Sequence, residues 1–289
     1  LLVSCPWLKG LTYRMNYLLN QDVNESGNFY YETYYIKEGE GLDRYLPSTV
    51  VAFLTQANGN LDNNRTWNYV LDNIVNYKQI FGKHGIDVTL VATEDYRKYQ
   101  DLNATGSDFT ANGNTKLGMW GLHKATTQKV NLSNEERSNV GYLGRLNYSF
   151  ADKYYLSSSF RRDGASVFGT QKKWGNFASV GAAWRISNEN FMKNIEPLNS
   201  LKLKLSWGQN GNQGVSPYAT LSQISNGPSG GIRYEWSNAP GKISYGLIQS
   251  TLGNYGLGWE KTESWNTGFE SSWLKERLFV DLDMYFSKT

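Results

Sequence analysis

Alternate positions carry opposite chemistry between Val140 and Phe150. Val140, Tyr142, Gly144, Leu146, Tyr148 and Phe150 form an apolar row, and Gly141, Leu143, Arg145, Asn147 and Ser149 form a mostly polar one. Three residues later the pattern returns, with Tyr154, Leu156 and Phe160 set against Tyr155, Ser157, Ser159 and Arg161. A period of two is the signature of a β-strand with two different faces. The same period predicts strands around Leu11 to Leu19, Tyr69 to Lys78, Ile86 to Thr93, Ala178 to Ile186, Leu201 to Trp207, Trp265 to Trp273 and Leu278 to Ser287. Residues 21 to 65 are less regular. Asn28 to Ile36 reads as a Tyr-rich strand with a partner around Val50 to Leu54, or the whole stretch forms one long loop. Ser187 to Asn194 reads as a short helix capped by Ser187, with Phe191 and Met192 packing before Pro197 ends it.

The connections between these strands add a direction. Gly82 to Gly85, Ala151 to Lys153 and Leu274 to Arg277 are tight, as hairpin turns are. Asn103 to Arg137 and Gly208 to Gly258 are long and rich in Gly, Asn and Ser. Following the chain strand by strand, the tight turns fall on one side and the long loops on the other. The fold class predicted is all-β, an antiparallel up-and-down meander. The turn asymmetry is that of a transmembrane β-barrel wall with short periplasmic turns and long extracellular loops. Aromatics fall near both ends of the apolar rows. Phe150, Tyr154, Trp184 and Trp273 lie toward the tight turns, and Phe160, Trp207 and Trp265 toward the long loops, as paired interfacial girdles do. A soluble β-sandwich, barrel or propeller with aromatic strand ends remains the alternative at this point.

Composition fits either solvent. The 289 residues include 20 Tyr, 10 Trp, 12 Phe and 29 Gly but only 6 Pro. Mean hydropathy is −0.55, and no stretch reaches the roughly 18 apolar residues of a transmembrane helix. A barrel escapes that test because every second residue faces a polar lumen. The net charge of +3, from 29 basic and 26 acidic residues, gives no clustered basic face for nucleic acid. Cys5 is the one cysteine and forms no internal disulfide. Leu2 to Cys5 has a superficial likeness to a lipoprotein cleavage site, but without the charged and apolar regions that precede one. The start lacks Met and a signal peptide, so the chain is expected to begin inside a longer protein.

One resemblance sharpens this picture. Tyr142-Leu143-Gly144-Arg145-Leu146-Asn147-Tyr148-Ser149-Phe150 followed by Lys153-Tyr154-Tyr155-Leu156 resembles a strand pair of the SusC/RagA family of TonB-dependent transporters. The likeness continues through Phe160-Arg161-Arg162-Asp163-Gly164-Ala165-Ser166-Val167-Phe168-Gly169, Ala183-Trp184-Arg185-Ile186-Ser187, Leu201-Lys202-Leu203-Lys204, Gly208-Gln209-Asn210-Gly211-Asn212 and Leu257-Gly258-Trp259-Glu260. It runs in order from Trp7 to Thr289. Where the family often has a second basic residue before Phe-Gly, this chain has Val167, and that loop is expected to make one polar contact fewer. The resemblance implies a plugged barrel in the outer membrane of Bacteroidetes-type bacteria. It implies import of oligosaccharides or peptides, a SusD-like surface lipoprotein as partner, and energy from the TonB complex acting on a plug and TonB box. About nine confident strands fall short of the roughly 22 of such a barrel. Residues 1–289 are therefore expected to be part of the barrel wall, incomplete at both ends, without plug or signal peptide, and prone to aggregate in water through open edges.

No catalytic residue, cofactor or metal site is predicted. His84 and His123 stand alone without ligand spacing. Asp281 and Asp283 share a face, as glycosidase acids do, but on a barrel strand they read as lumen-lining carboxylates. The candidates are instead the polar rows: Arg145, Asn147, Arg161, Arg185, Lys202, Lys204, Asn266 and Glu270, expected to face the lumen and meet plug or solute. The loop aromatics Tyr218, Tyr234, Trp236, Tyr245 and Tyr255 are expected to stack on sugar or to contact the lid lipoprotein. A glycan-binding β protein, soluble or at the cell surface, and a secreted β-rich enzyme acting on polysaccharide are the competing functions.

Overall fold

Strand follows strand with little else between. The structure, a computed structural model, describes residues 1–31, 33–36, 50–54, 57–109, 116–192, 195, 197–225, 233–235 and 243–289. In chain order the strands are β1 (Leu2–Ser4), β2 (Leu11–Tyr30), β3 (Thr33–Ile36), β4 (Val50–Leu54), β5 (Asn58–Phe81), β6 (His84–Ser107), β7 (Thr127–Phe150) and β8 (Tyr154–Ala165). They continue as β9 (Trp174–Arg185), β10 (Leu198–Asn212), β11 (Gln223–Ser225), β12 (Arg233–Glu235), β13 (Ile243–Tyr245), β14 (Ile248–Thr251), β15 (Glu260–Trp273) and β16 (Leu278–Lys288). Ten of them form one sheet in the order β1-β2-β5-β6-β7-β8-β9-β10-β15-β16. Sequence neighbours pair throughout, which is the predicted meander. The remaining six form three separate hairpins, β3-β4, β11-β14 and β12-β13.

The turn asymmetry holds. Residues 5–10, 82–83, 151–153, 186–197 and 274–277 join strands on one side, and 31–57, 108–126, 166–173 and 213–259 on the other. Among the described residues the extra strands between 21 and 65 are two, an even number, β3 and β4, paired through Tyr34 with Ala52 and Tyr35 with Val51.

Contacts divide the chain into two units, and β2, β5, β6 and β7 run through both. The first unit is Leu1–Leu18, Val70–Tyr96 and Arg137–Thr289. Its cross-strand register puts the predicted apolar positions on one face. Phe150 lies opposite Tyr154, Tyr148 opposite Leu156 and Gly144 opposite Phe160. Tyr154 then lies opposite Trp184, Trp184 opposite Leu203, Leu203 opposite Phe269 and Phe269 opposite Leu282. Directly opposed residues share a face, so rows predicted strand by strand become one apolar surface. It is not covered: Leu205, Trp265 and Leu282 are about half exposed. A β-sandwich would have hidden this surface against a second sheet.

Buried apolar side chains in this unit gather elsewhere. Ala165, Val167 and Phe168 pack with Val215, Leu257 and Trp259 where the 166–173 and 213–259 connections meet. The Val167 side chain is buried in that cluster, where it makes apolar rather than polar contacts. Phe177 lies beside it, its ring edge-on to Trp259 at 5.4 Å. The ring fits because Gly175 and Gly211 have no side chains; a Cβ on Gly211 would lie 2.2 Å from it.

The second unit is Leu19–Tyr69 and Arg97–Glu136. Its small core is Ala57, Phe109, Leu122 and Ala125, joined by Phe29, Leu61 and Ala104. Here the bounds of the expected long loop from Asn103 to Arg137 are corrected. β6 continues to Ser107 and β7 begins at Thr127, so the connection narrows to residues 108–126, still long beside the tight turns, with a 3-10 turn at Gly118–Lys124. The period of two fails there because both faces are polar, as in Asn58 to Arg65, so no alternation marks the strand. Polar side chains reach along and across the strands instead: Asn60 donates to Asp62 at 2.5 Å, and Asn103 donates to Asp62 as well.

Two further expectations are corrected. β1 was not foreseen, because three residues are too few to show a period. Ser187 caps no helix. The segment forms two 3-10 turns, Ile186–Asn188 and Asn190–Met192, and the first has no side-chain cap bond. Phe191 is exposed rather than packed.

Candidate functional site

The polar rows of the first unit line up as the apolar rows do. Asn147 lies opposite Ser157, Arg145 opposite Ser159, Arg185 opposite Lys202, Lys202 opposite Glu270, and Ser206 opposite Asn266. Arg145, Asn147, Arg161, Arg185, Lys202, Lys204, Asn266 and Glu270 thus share one face, opposite the apolar one. Hydrogen bonds knit this face across strands. Asn76 donates to Asp87 and Thr89 at 2.9 Å each, and Thr93 donates to Asp72 at 2.6 Å. Asn139 donates to Asp95 at 2.8 Å, and within β8 Arg161 binds Asp163 at 2.8 Å.

The charges concentrate on β10, β15 and β16. The Lys204 ammonium reaches Glu270 at 2.9 Å, Asp281 at 3.3 Å and Asp283 at 3.4 Å. Lys202 lies 3.9 Å from Glu270. The cations of Lys202 and Arg185 each sit 5.4 Å from the Tyr155 ring centre. Beside this group lies a trough of about 480 Å³ whose lining includes Asn147, Ser149, Tyr155, Ser157, Gly181, Ala183, Lys202, Lys204 and Ser206. Ile80, Ile86, Leu156 and Leu205 line it too, so small, polar and apolar side chains meet there. Such a surface can hydrogen-bond a polar solute or protein segment. It holds no paired nucleophile and base.

Replacing Lys204 by Met leaves three carboxylates around an apolar stem. We expect faster amide exchange along β16, partly reversed by added salt, because like charges repel and salt screens them. Equal exchange in variant and parent would show that Lys204 is not the shared counter-charge.

Sequence reading missed part of this constellation. Asp281 and Asp283 were read as lumen-lining acids but not as partners of Lys204, which requires the β10-β15-β16 register. Tyr155 sits in the polar row yet reads as apolar by type. Among the loop candidates, Tyr218 and Tyr255 are exposed on the 213–259 connection. Tyr234 and Tyr245 lie in β12 and β13 with undescribed side chains, and Trp236 lies outside the described residues.

At the tight-turn end, adjacent residues of one turn grip the two faces. Asn188 donates to the Asp152 carbonyl at 2.9 Å, and Arg185 binds the Asp152 carboxylate at 2.6 Å. The hydrogen bond from the Tyr155 hydroxyl, then the charge of Arg185 and the bond from Asn188, lower the Asp152 pKa. Glu189 instead accepts from Lys153 at 2.8 Å, from the Tyr154 hydroxyl at 2.7 Å and from the Trp184 indole at 3.2 Å. These bonds, that of Lys153 foremost, bring its pKa from 4.5 down to about 2. A depressed carboxylate pKa stabilises the fold above the unfolded value and loses that contribution as pH falls through the folded one. The 186–192 turn is therefore expected to stay clamped down to pH 4.5 and to loosen between there and about 2. Amide exchange at Met192, which bonds the Glu189 carbonyl, reads this. Glu189→Gln should abolish the pH dependence.

The comparisons fit this two-faced wall. The family model described as "TonB dependent receptor-like, beta-barrel" matches residues 6–289. The chain belongs to that family. Its relatives include the TonB-dependent receptor SusC of Bacteroides thetaiotaomicron, 36% identical over 154 residues, which are 52% of this chain and 15% of SusC. The TonB-dependent receptor P3 of Formosa agariphila is 26% identical over 284 residues, 97% of this chain and 27% of P3. Among solved structures, the RagAB peptide transporter matches with a TM-score of 0.75 at 22% identity, over 98% of this chain and 28% of that one. At that identity the match shows the fold. The chain spans less than a third of the length of these relatives. The family is one of transporters and receptors, not of enzymes, and the SusC/RagA resemblance read from the sequence is upheld.

Proposed function

We propose that residues 1–289 are barrel wall of an outer-membrane, multi-pass TonB-dependent transporter that imports oligosaccharides or peptides. A SusD-like surface lipoprotein closes its outer mouth, and the TonB complex supplies energy through a plug. The observation that carries this reading is the register that sorts one sheet into an uncovered apolar face and a hydrogen-bonded polar one. Lipid meets the first face, and the lumen lies behind the second. Arg145, Asn147, Arg161, Arg185, Lys202, Lys204, Asn266 and Glu270 then bind plug or solute. Tyr218, Tyr234, Trp236, Tyr245 and Tyr255 meet substrate or lid at the surface.

The aromatics support the depth. Ten residue steps separate Trp174 from Trp184 on β9, about 34 Å along a strand. At a tilt of about 40° that is roughly 26 Å, close to the apolar band of about 25 Å in such barrels. At one level Phe150, Tyr154 and Trp184 stack at 6.4 and 6.3 Å. At the other Tyr142 stacks on Trp174 at 6.4 Å, while Trp207 and Trp265, 6.2 Å apart, lie between the two levels, opposite Val180.

The test is uptake by cells with and without the gene, using labelled oligosaccharide and labelled peptide pools, together with affinity capture of the tagged protein. Loss of one uptake on deletion and on collapse of the proton gradient, with co-capture of a surface lipoprotein, is the expected result. Unchanged uptake of both pools would overturn the proposal.

A further inference from the structure

The turn gripped by Glu189 has a second consequence, which rests on the reading of the apolar face as lipid-facing. Tyr154 and Trp184 end the apolar face on the tight-turn side, and their polar tips both bind Glu189. That carboxylate marks the height at which ring gives way to headgroup, because interfacial Tyr and Trp place their polar ends there. Backbone bonds from Glu189 to Ile186, Met192 to Glu189 and Ile195 to Met192 then fix the segment that follows. It presents Phe191, 66% exposed, and Ile195, 45% exposed, with exposed Asn190 between Glu189 and Phe191. Phe191 lies two residues beyond Glu189, so the turn held by the Tyr154 and Trp184 tips carries an exposed apolar ring.

We propose that the turn of residues 186–192, together with Ile195, is an interfacial lipid anchor. Phe191 and Ile195 seat in the headgroup and upper acyl layer of the leaflet on the tight-turn side and fix the depth of the wall. The occupant is phospholipid, because Glu189 ties the turn to the polar tips of the lipid-facing Tyr154 and Trp184, and the turn joins apolar side chains to a hydrogen-bonded polar rim, the composition of a monotopic contact.

The experiment uses the membrane-assembled protein with Cys5→Ser as background. Single spin labels are placed at Phe191→Cys, at Leu205→Cys on the apolar face and at Asn266→Cys on the polar face. Collision with oxygen, which concentrates in lipid, is compared with collision with a water-soluble nickel chelate. The anchor predicts that the label at 191 collides several-fold more with oxygen than the label at 266 does, with the nickel response reduced in step. A water-like label at 191 beside a lipid-like label at 205 overturns the anchor alone. A label at 191 shielded from both reagents overturns it too, since protein would then cover the site. Water-like labels at both 191 and 205 overturn the lipid-facing reading itself.

Discussion

Val180→Lys is expected to remove the protein from the outer-membrane fraction. Val180 is half-exposed on the apolar face, opposite Ser158 on one side and Trp207 on the other. It stands six residues from Trp174 and four from Trp184 on β9, near the middle of the apolar band. A lysine on the lipid face there costs about 2–4 kcal/mol. That is roughly a 30- to 900-fold shift in the assembly equilibrium. Val280→Arg should cost less. Its partner Ser271 lies nearer Trp273, and an arginine close to the headgroups reaches them. Asn266→Lys, on the opposite face, should assemble normally. Heat-modifiable migration of the membrane fraction on gels measures all three. Normal assembly of Val180→Lys together with failure of Asn266→Lys would mean that the faces are assigned the wrong way round.

Phe168→Ala is the second large effect, and it is local. Phe168 is 2% exposed and lies 5.0 Å from the Trp259 ring. It joins two connections that are also tied by the Gly169 amide to the Leu257 carbonyl at 3.2 Å and the Trp259 indole to the Lys173 carbonyl at 2.9 Å. Truncating a buried Phe costs about 3–5 kcal/mol. The ladder of β8, β9 and β10 does not depend on this ring, so assembly should persist. The 213–259 connection should instead become sensitive to added protease on intact cells, and Phe168→Leu should restore much of the resistance. Unchanged resistance in Phe168→Ala would show that other contacts hold the two connections together.

What could be read from the residues follows the period of two. Wherever one face met an apolar surface and the other a polar one, as from Val140 to Phe150, the strand, its direction and its faces were legible. Where both faces are polar, as at Asn58 to Arg65, the ladder of backbone hydrogen bonds extends the strand with no trace in the residue pattern. The polar-face candidates were legible because parity alone puts Lys202 and Glu270 on the same side as Arg185. Their mutual contacts were not, since Lys204 meets Asp281 and Asp283 only once β15 lies between β10 and β16. Glu189 escaped notice for a related reason: a carboxylate in a turn looks like solvent-facing punctuation until its three donors are brought round from β8 and β9.

The Phe177 ring folded over Gly175 and Gly211 has a bearing on how this wall tolerates change. Gly211 sits at the exposed end of β10, where a library of single substitutions would ordinarily show freedom. Any side chain there must displace an aromatic ring that also leans on Trp259. Gly211 should therefore score as intolerant as a core position. A survey ranking sites by exposure alone would mistake that intolerance for contact with cargo.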